Sequence, residues 1–413
     1  MPDLRPPRGT HDLLGEDLRR HRHVAETGRE LARRYGYGEI VTPTFEHLEV
    51  FARTLGDTSD VVTKEMYVFK DRGGEDMCLR PENTASVVRA VISGGMAQDL
   101  PLKFFYYGPM FRYERPQKGR LRQFHQIGVE LMGASEPMAD VEVMALGQHI
   151  LDELGVAGSV TLQINSLGDP ASRQAYREAL VAYLEGHRDR LSHESQTRLE
   201  RNPLRILDSK DEGDRAVLAD APPLDEHLNE ASRTFFARVR EGLERLGVNY
   251  ETNPRLVRGL DYYTHTAFEF VTTALGAQGA VIAGGRYDGL VRAMGGPDVP
   301  GVGWAAGVER LAMLLPETPA ALGPAAIIPI GDAAEPHAWE LAQKLRRAGL
   351  AVEISYKGKP GQRMKRASKL GASHAISLGD AELAQGVVKL RDLDSGAEEE
   401  VPMEGIADRL RPE

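Results

Sequence analysis

The sequence predicts an α+β domain built on an antiparallel sheet, followed by a smaller α/β domain. Residues 108–130, GPMFRYERPQKGRLRQFHQIGVE, predict two strands joined by a basic loop that contains glycine and proline, the pattern of an antiparallel hairpin. Residues from about 169 to 234 have the spacing of charged helices and predict a helical insertion between strands of the sheet. From residue 326 onward strands and helices alternate, which is typical of an α/β domain with a largely parallel sheet.

A segment rich in proline, alanine and glycine separates the two predicted domains. It is PETPAALGPA, residues 316–325, and this composition is typical of an interdomain linker. We therefore predict domains over residues 1–315 and 326–413.

Composition limits the class of protein. The 413 residues are 41% apolar and 27% charged, ordinary values for a globular chain with room for two or three domains. The single cysteine, Cys78, excludes an intramolecular disulfide and a multi-cysteine zinc site. The sequence lacks a secretory signal at Met1 and any apolar run long enough to cross a bilayer, so we expect a soluble cytoplasmic protein.

Net charge and local charge give different indications about nucleic acids. The net charge of −10 argues weakly against a protein that is basic overall, but local patches govern contact with phosphates. One basic patch is the hairpin loop, and the other is residues 356–371, which contain no acidic residue. For the second patch we favour contact with RNA phosphates, and a solvated basic turn is the alternative.

The N-terminal elements follow from local patterns. Apolar spacing predicts a helix over residues 15–34 that ends near Gly36, and a short strand over 39–45. A strand over 77–82 precedes a helix over 84–92, and polar side chains occupy the junction, a usual place for ligand contacts. Helix capping by the junction residues is the alternative.

The smaller domain has three predicted strands and two predicted helices before residue 380. The strands are 326–330, 351–355 and 375–378, and the helices are 336–348 and 362–370.

The hairpin carries the polar residues that suggest a ligand site. Because strand side chains alternate, Gln126, Gly128 and Glu130 share one face, and a glycine there leaves room for a ligand against the backbone. Arg112 and Glu114 are expected to share a face of the first strand. An amide, a guanidinium and two carboxylates beside a basic loop suit a small zwitterion and a polyphosphate, whereas a solvated amphipathic hairpin is the alternative.

The hairpin resembles motif 2 of the class II aminoacyl-tRNA synthetases, and most closely that of the histidyl-tRNA synthetases. The resemblance continues through most of the chain. Its further segments are the motif 1 helix and strand (15–45), the histidyl-specific peptide LVRGLDYYTHT (256–266), a glycine-rich segment (284–289) with Ala283 in place of a more usual glycine, motif 3 (301–313) and the anticodon-binding domain (326–413).

This resemblance implies a class II catalytic domain that joins histidine to tRNA(His) in two steps. Histidine and ATP, with Mg²⁺ on its phosphates, give histidyl-adenylate and pyrophosphate, and the terminal ribose of tRNA then takes the histidyl group. It also implies a homodimer through motif 1. The amino-acid carboxylate is already ionised at pH 7, so the first step needs positioning and charge stabilisation rather than a general base. We assign Arg112 and Arg258 to the α-phosphate, because the planar guanidinium can bind two oxygens.

The resemblance also assigns the binding residues. Those expected to bind histidine are Glu82, Asn83, Thr84, Arg112, Gln126, Glu130, Arg258, Tyr262 and Tyr263. Those expected to bind ATP are Arg112, Glu114, Phe124 and Arg310. Those expected to contact tRNA are Arg115, Gln117, Lys118 and Arg120.

Donor and acceptor counts suggest individual roles. The α-ammonium needs acceptors, for which Glu82, Thr84 and Gln126 are candidates, while Glu130 can accept from one imidazole nitrogen and Tyr263 can donate to the other. Phe124 and Arg310 are expected to sandwich the adenine, Arg310 through a cation–π contact.

Three other functions compete with this interpretation. A regulatory subunit of ATP phosphoribosyltransferase shares the core but is expected to lack the C-terminal domain and part of the catalytic set. A synthetase for another amino acid is disfavoured by the peptide 256–266. A metal hydrolase is disfavoured because His21 and His23 have no paired ligand motif and are explained as solvated helix histidines, so we predict no metal ligands in the chain.

Overall fold

Two compact units make up the chain, Met1–Thr318 and Pro319–Glu413. The computed structural model describes residues 4–55, 65–257, 262–276, 279–318 and 323–411. Within these ranges no helix is both long and apolar enough to cross a membrane.

An eight-stranded sheet organises the first unit. Its strands are β1 Gly38–Glu39, β5 Leu102–Phe111, β6 Gln123–Met132, β7 Thr161–Ser166, β8 Glu251–Thr252, β9 Thr264–Val271, β10 Ala280–Arg286 and β11 Gly301–Gly307. The order is β1-β5-β6-β11-β10-β9-β7-β8, antiparallel except for the two edge pairs β1–β5 and β7–β8. A second, small antiparallel sheet consists of β2 Phe45–His47, β3 Val68–Lys70 and β4 Asp76–Leu79. The predicted antiparallel sheet is confirmed.

Helices pack on both faces of the large sheet. The helices of the first unit are α1 Gly15–Arg34, α2 Leu48–Leu55, α3 Thr84–Ser93, α4 Pro137–Glu153, α5 Pro170–Glu185, α6 His193–Arg201, α7 Glu212–Leu218, α8 Glu230–Arg245, α9 Leu290–Ala293 and α10 Val308–Leu314, and not all of them contact this sheet. One face, called the back, packs against α1 and α4 in the main hydrophobic core. The other, the front, packs against α3 through Val87 and Tyr106. Gly28 lets α1 approach the back closely, because a Cβ there would lie 2.7 Å from Ile127.

The helical segment between β7 and β8 has a core of its own. Buried apolar side chains from Tyr176 to Leu228 form that cluster, which explains how an insertion of charged helices folds without extending the sheet. The last helix, α8, instead joins the main core through Val239 and Leu243.

Two predictions near the N-terminus are wrong. Of the expected 39–45 strand, only Glu39 pairs in β1 and Ile40 adds one backbone hydrogen bond to Phe105 at 2.8 Å, whereas Phe45 belongs to the small sheet. Beyond Ile40 the Arg80 side chain donates to the carbonyls of Thr42 and Pro43, at 3.0 and 3.5 Å. His21 is also not a solvated helix histidine, since it is only 2% exposed on the buried side of α1.

The second unit is a mixed five-stranded sheet with helices. Its strands are β12 Ala325–Pro329, β13 Val352–Ile354, β14 His374–Leu378, β15 Val387–Asp392 and β16 Glu398–Pro402, and its helices are α11 Ala334–Arg347, α12 Pro360–Lys369, α13 Asp380–Gln385 and α14 Ile406–Arg409. The predicted parallel pairing holds for β13-β12-β14, while β15 and β16 add an antiparallel hairpin that the sequence did not predict. The smaller α/β domain is confirmed.

Candidate functional site

A cavity of about 260 Å³ lies over the front of β6 and β11 in the first unit. Most of the predicted site residues that the structure describes line it. They are Glu82, Thr84, Arg112, Glu114, Arg120, Phe124, Gln126, Tyr262, Tyr263 and Arg310. The predicted catalytic residue Arg258 lies outside the described residues.

The remaining predicted residues do not line the cavity. Asn83 is buried at the start of α3, where its side-chain oxygen accepts hydrogen bonds from Thr42 and Arg80. Three of them, Arg115, Gln117 and Lys118, are exposed in the loop between β5 and β6. Glu130 is 0% exposed behind other side chains.

The position of Arg112 differs from the prediction. The strand β5 ends at Phe111, so Arg112 and Glu114 belong to the loop rather than to one strand face. The backbone N–H of Glu114 donates to the Arg112 carbonyl at 2.8 Å, a local turn that a strand cannot contain. The loop nevertheless brings Arg112 to the cavity, where its Nε donates to the Pro81 carbonyl at 2.9 Å and its guanidinium lies 5.3 Å from the Phe124 ring centroid.

The reason for glycine at position 128 also differs from the prediction. Gly128 pairs with Tyr106 across β5 and β6, and a Cβ at Gly128 would lie 2.3 Å from the Tyr106 hydroxyl. The expected room for a ligand is therefore filled by a tyrosine ring. This glycine serves packing of the cavity floor.

Glu130 is held beneath the cavity by two hydroxyl groups. Thr84 Oγ1 donates to its Oε1 at 2.7 Å, and the Tyr287 hydroxyl donates to its Oε2 at 2.5 Å. Gly303, directly opposite on β11, leaves room for the carboxylate, because a Cβ there would lie 2.1 Å from Oε2. Burial raises the pKa of Glu130 to about 8, and the two hydroxyl donors only partly oppose this effect.

Glu82 caps the helix that carries Thr84. Its two carboxylate oxygens accept from the backbone N–H groups of Thr84 and Ala85, at 2.6 and 3.0 Å. Burial raises the pKa of Glu82. Capping and ligand contact are compatible here, because a carboxylate has about four acceptor positions and Glu82 also lines the cavity.

Gln126 offers the clearest sign of an intended ligand. Its Oε1 is buried and has no hydrogen-bond partner within the part of the chain that the structure describes, yet the residue lines the cavity. A buried amide oxygen without a donor costs roughly 1–3 kcal/mol. A ligand with an N–H group would remove that cost.

Arg310 connects the loop to the sheet. Its Nε donates to the Gly119 carbonyl at 3.1 Å, and its Nη1 donates to the Ala280 carbonyl. Arg120 of the same loop forms an ion pair with Glu114. These contacts place one wall of the cavity on the loop.

Tyr287 and Tyr106 are the site residues that sequence reasoning missed. The segment 284–289 was singled out only for its glycines, although the tyrosine within it binds Glu130. Tyr106 lies opposite Gly128 across β5 and β6, a contact that depends on the register of the two strands and that alternation within one strand does not indicate. Arg286, also in this segment, is fully buried in an ion pair with Asp140 and supports the floor from behind.

Comparisons with known proteins give the family of the chain. The family model for histidyl-tRNA synthetase matches residues 9–311, and that for the anticodon-binding domain matches residues 325–413. The chain is 65% identical over 402 residues to the histidine–tRNA ligase of Rhodospirillum rubrum, with 97% of each chain covered. It is 59% identical over 410 residues to the histidine–tRNA ligase of Gluconobacter oxydans, with 98% of each covered.

Solved structures give the same fold. The apo histidyl-tRNA synthetase of S. aureus is 36% identical, with a TM-score of 0.84 and coverage of 99% of this chain and 100% of that one. A Bacillus halodurans C structure described as an ATP phosphoribosyltransferase regulatory subunit/histidyl-tRNA synthetase is 23% identical, with a TM-score of 0.66 and coverage of 91% and 98%, and shows the fold alone. On the family match over residues 9–311 and the near full-length identity to these ligases, the chain belongs to the histidyl-tRNA synthetase family.

Proposed function

We propose that the chain is a histidine–tRNA ligase, which activates L-histidine with ATP and transfers it to the 3′ end of tRNA(His). The observation that carries the proposal is the buried carboxylate of Glu130, which accepts hydrogen bonds from the hydroxyls of Thr84 and Tyr287. It lies beneath a cavity that is lined by Gln126 and Arg112. A buried acceptor next to the amide and the guanidinium suits a small amino acid with an N–H-bearing side chain.

Histidine is recognised at both ends. Its α-ammonium donates to Oε1 of Gln126, which has no partner among the described residues, and to Glu82 and Thr84. Its imidazole lies between Glu130 and the Tyr263 hydroxyl. An amino acid without ring nitrogens leaves the buried carboxylate without its donor, a loss that gives strong discrimination without an editing site.

The phosphoryl chemistry is electrostatic. The histidine carboxylate attacks the α-phosphorus of ATP, and Arg112 stabilises the charge that develops on the phosphoryl oxygens. Arg112 Nε donates to the Pro81 carbonyl, and this hydrogen bond orients the guanidinium so that its other nitrogens can contact the phosphate. Arg258 shares this role in our proposal. Mg²⁺ arrives with the β- and γ-phosphates as part of the nucleotide substrate, and we assign it no protein ligand.

Adenine binds beside Phe124, with Arg310 on the other side. In the structure the Arg112 guanidinium lies over the Phe124 ring, 5.3 Å from its centroid. Adenine would stack on this same ring when ATP is bound. Glu114 completes the nucleotide wall through its ion pair with Arg120.

The loop between β5 and β6 contacts the acceptor end of tRNA. Its exposed residues Arg115, Gln117 and Lys118 suit phosphate contact, whereas Arg120 is partly engaged by Glu114.

An arginine substitution in the loop separates the two reaction steps. Arg115→Ala should raise the KM for tRNA(His) about tenfold, because it removes one exposed cation, and leave ATP–pyrophosphate exchange unchanged. Arg245→Ala, at an exposed arginine of α8, is the control. Equal loss in tRNA charging and in exchange would contradict this role.

The second unit binds the anticodon in our proposal. Trp339 and Tyr356 are 41% and 82% exposed with ring centroids 5.8 Å apart, and the exposed Lys357 and Lys359 follow directly. Aromatic faces beside cations suit stacking of unpaired bases. Arg363 of the same basic segment does not serve as expected, because it is buried in an ion pair with Glu335.

Dimerisation and the domain division are further parts of the proposal. Val41 and Phe45, just after α1, are 81% and 56% exposed, and Val68 and Phe69 of the small sheet are also exposed. Such a group of apolar side chains suits a symmetric contact between two copies of motif 1. We keep the domains at 1–315 and 326–413 with a linker at 316–325.

The test of the function is formation of histidyl-tRNA. The purified full chain, with histidine, ATP and Mg²⁺, should charge tRNA(His) and no other tRNA. Failure to charge, together with stimulation of an ATP phosphoribosyltransferase by the chain, would favour the regulatory alternative.

A further inference from the structure

A cluster of two histidines and one glutamate lies on the back of the sheet, where α1, β6 and α10 meet. His125 Nδ1 lies 2.9 Å from Glu309 Oε1, and His21 Nε2 lies 3.6 Å from the same oxygen. One ligand atom from each of the three residues falls within 4.8 Å of the other two. The His21 and His125 rings meet edge to face, with centroids 4.6 Å apart.

Hydrogen bonding within the described residues accounts for the positions of His125 and Glu309 but not for that of His21 Nε2. Glu309 receives the backbone N–H of His125 at 2.9 Å and is within reach of its ring nitrogen, so the Glu309–His125 pair is satisfied. His21 is 2% exposed, and its Nε2 has no hydrogen-bond partner in the ranges described, although it faces the carboxylate. A buried nitrogen directed at a carboxylate from beyond hydrogen-bond distance leaves a position between them for a further atom.

We propose that His21, His125 and Glu309 form a binding site for a divalent transition-metal ion of the zinc class. Two imidazoles and a carboxylate are a ligand set typical of zinc with an open fourth position. In a tetrahedral site, ligand atoms about 2 Å from the metal lie about 3.3 Å from one another. Side-chain movements that shift the ligand atoms by about 1 Å would bring the three to this spacing.

Charge and the surrounding residues favour a cation here. Glu309 contributes the acidic side chain of the cluster, and its Oε1 lies 2.9 Å from His125 Nδ1. The Tyr107 hydroxyl lies 3.3 Å from His21 Nδ1, the outer contact that turns the other ring nitrogen toward a metal. Glu309 is 14% exposed and also lines the front cavity, so this ligand is not sealed from solvent.

A bound ion would join three elements that support the active-site cavity. His21 belongs to α1, His125 lies between Phe124 and Gln126 on β6, and Glu309 precedes Arg310 on α10. The site is distinct from the ATP-bound Mg²⁺, which belongs to the substrate.

The test uses the untagged full-length protein after treatment with a chelator and desalting. Titration with Co²⁺ should give the visible absorption of a tetrahedral complex that saturates at one ion per chain, and Zn²⁺ should displace it. His21→Gln should weaken Zn²⁺ binding at least about 100-fold, and Tyr107→Phe about tenfold, because the second change removes only an outer contact. His23→Gln, two residues along the same helix and outside the cluster, is the matched control and should bind normally.

Either of two results would overturn the proposal. One is the absence of stoichiometric Co²⁺ or Zn²⁺ binding to the folded protein, which would leave a purely hydrogen-bonded cluster. The other is equal affinity in wild type and His21→Gln, which would place the metal elsewhere. Tyr107→Phe keeps the test decisive if His21→Gln does not fold.

Discussion

Glu130 and Glu309 lie on opposite faces of the same sheet, the first fully buried and the second 14% exposed, and their environments shift the two pKa values in opposite directions. Glu130 on the front is 0% exposed and receives two hydroxyl donors, and burial raises its pKa to about 8. Burial also acts on Glu309, but the nearby His125 and His21 side chains and the backbone N–H of His125 outweigh it and lower the pKa to about 2. Burial therefore does not set the charge of a carboxylate by itself.

The difference follows from the kind of donor. A hydroxyl supplies a dipole, whereas an imidazole can supply a proton and a full positive charge, and Glu309 gains a backbone N–H as well. The two hydroxyl groups thus hold Glu130 in place but do not fully offset the cost of burying its charge. An N–H group of the substrate can supply the missing hydrogen bond. Glu309 is compensated by the protein itself and contributes to stability.

The largest effect is expected when the compensated glutamate is neutralised. Glu309→Gln should lower the free energy of unfolding of the first unit by about 3 kcal/mol at pH 7, the equivalent of the pKa shift from 4.5 to about 2. Because the folded pKa is depressed, this contribution is present above pH 4.5 and is lost as the pH falls toward 2. The difference from wild type should therefore shrink on acidification.

Urea unfolding at pH 7 and at pH 3.5 in a chelator-containing buffer measures this difference. A Trp339→Phe background leaves the buried Trp304 as the only tryptophan, so fluorescence reports on the first unit. Glu142→Gln, at a half-buried pair with Lys103, is the control and should cost less than about 1 kcal/mol. A difference for Glu309→Gln that stays constant with pH would show that its charge is not the cause.

Neutralising the incompletely compensated glutamate should chiefly lower the activity with histidine. Glu130→Gln should lower kcat/KM for histidine in ATP–pyrophosphate exchange about 100-fold, because a charged acceptor for the imidazole is lost. Since the pKa of Glu130 is about 8, wild-type kcat/KM should rise as the pH increases toward 8, and the variant should lack this limb. A variant with the wild-type pH profile would exclude Glu130 as the acceptor.

The raised pKa of Glu130 also makes the stability of the protein depend on pH. A carboxyl whose folded pKa is raised from 4.5 to about 8 binds its proton more tightly when folded, so its contribution to stability falls as the pH rises through that window. Glu130→Gln should therefore be relatively more stable than wild type at pH 9 than at pH 6, opposite in direction to Glu309→Gln.

Removing one hydroxyl donor should have a smaller effect. Tyr287→Phe takes away the 2.5 Å hydrogen bond to Glu130 and should raise the KM for histidine about tenfold, since a hydrogen bond to a charged group contributes roughly 1.5–3 kcal/mol. The KM for ATP should stay unchanged, which steady-state exchange at saturating histidine can establish. An equal change in both KM values would indicate general disruption of the cavity.

The sequence predicted the front of the sheet better than its support. Alternation in 108–130 correctly placed Gln126 and Glu130 on one face, because the period of a strand does not depend on its neighbours. It could not reveal that Tyr106 fills the space at Gly128, since that contact requires the register of two strands. Arg112 reached the cavity from a loop, whose path a period-two pattern does not describe.

Buried polar residues on helices were the other source of error. His21 follows Leu18 by three residues and precedes Ala25 by four, so it lies on the apolar stripe of α1, a position that helical spacing could have indicated. Arg363 likewise precedes the buried Ala367 by four residues on α12. In both cases residue type suggested solvent although spacing suggested the core.

The most direct measurement for the central claim is ATP–pyrophosphate exchange with each of the twenty amino acids, with Arg112→Ala as the control. The proposed function predicts exchange with histidine alone and its loss in the control, because Arg112 lines the cavity beside the predicted α-phosphate position. Exchange with a different amino acid, or with none in a protein shown to be folded, would contradict it.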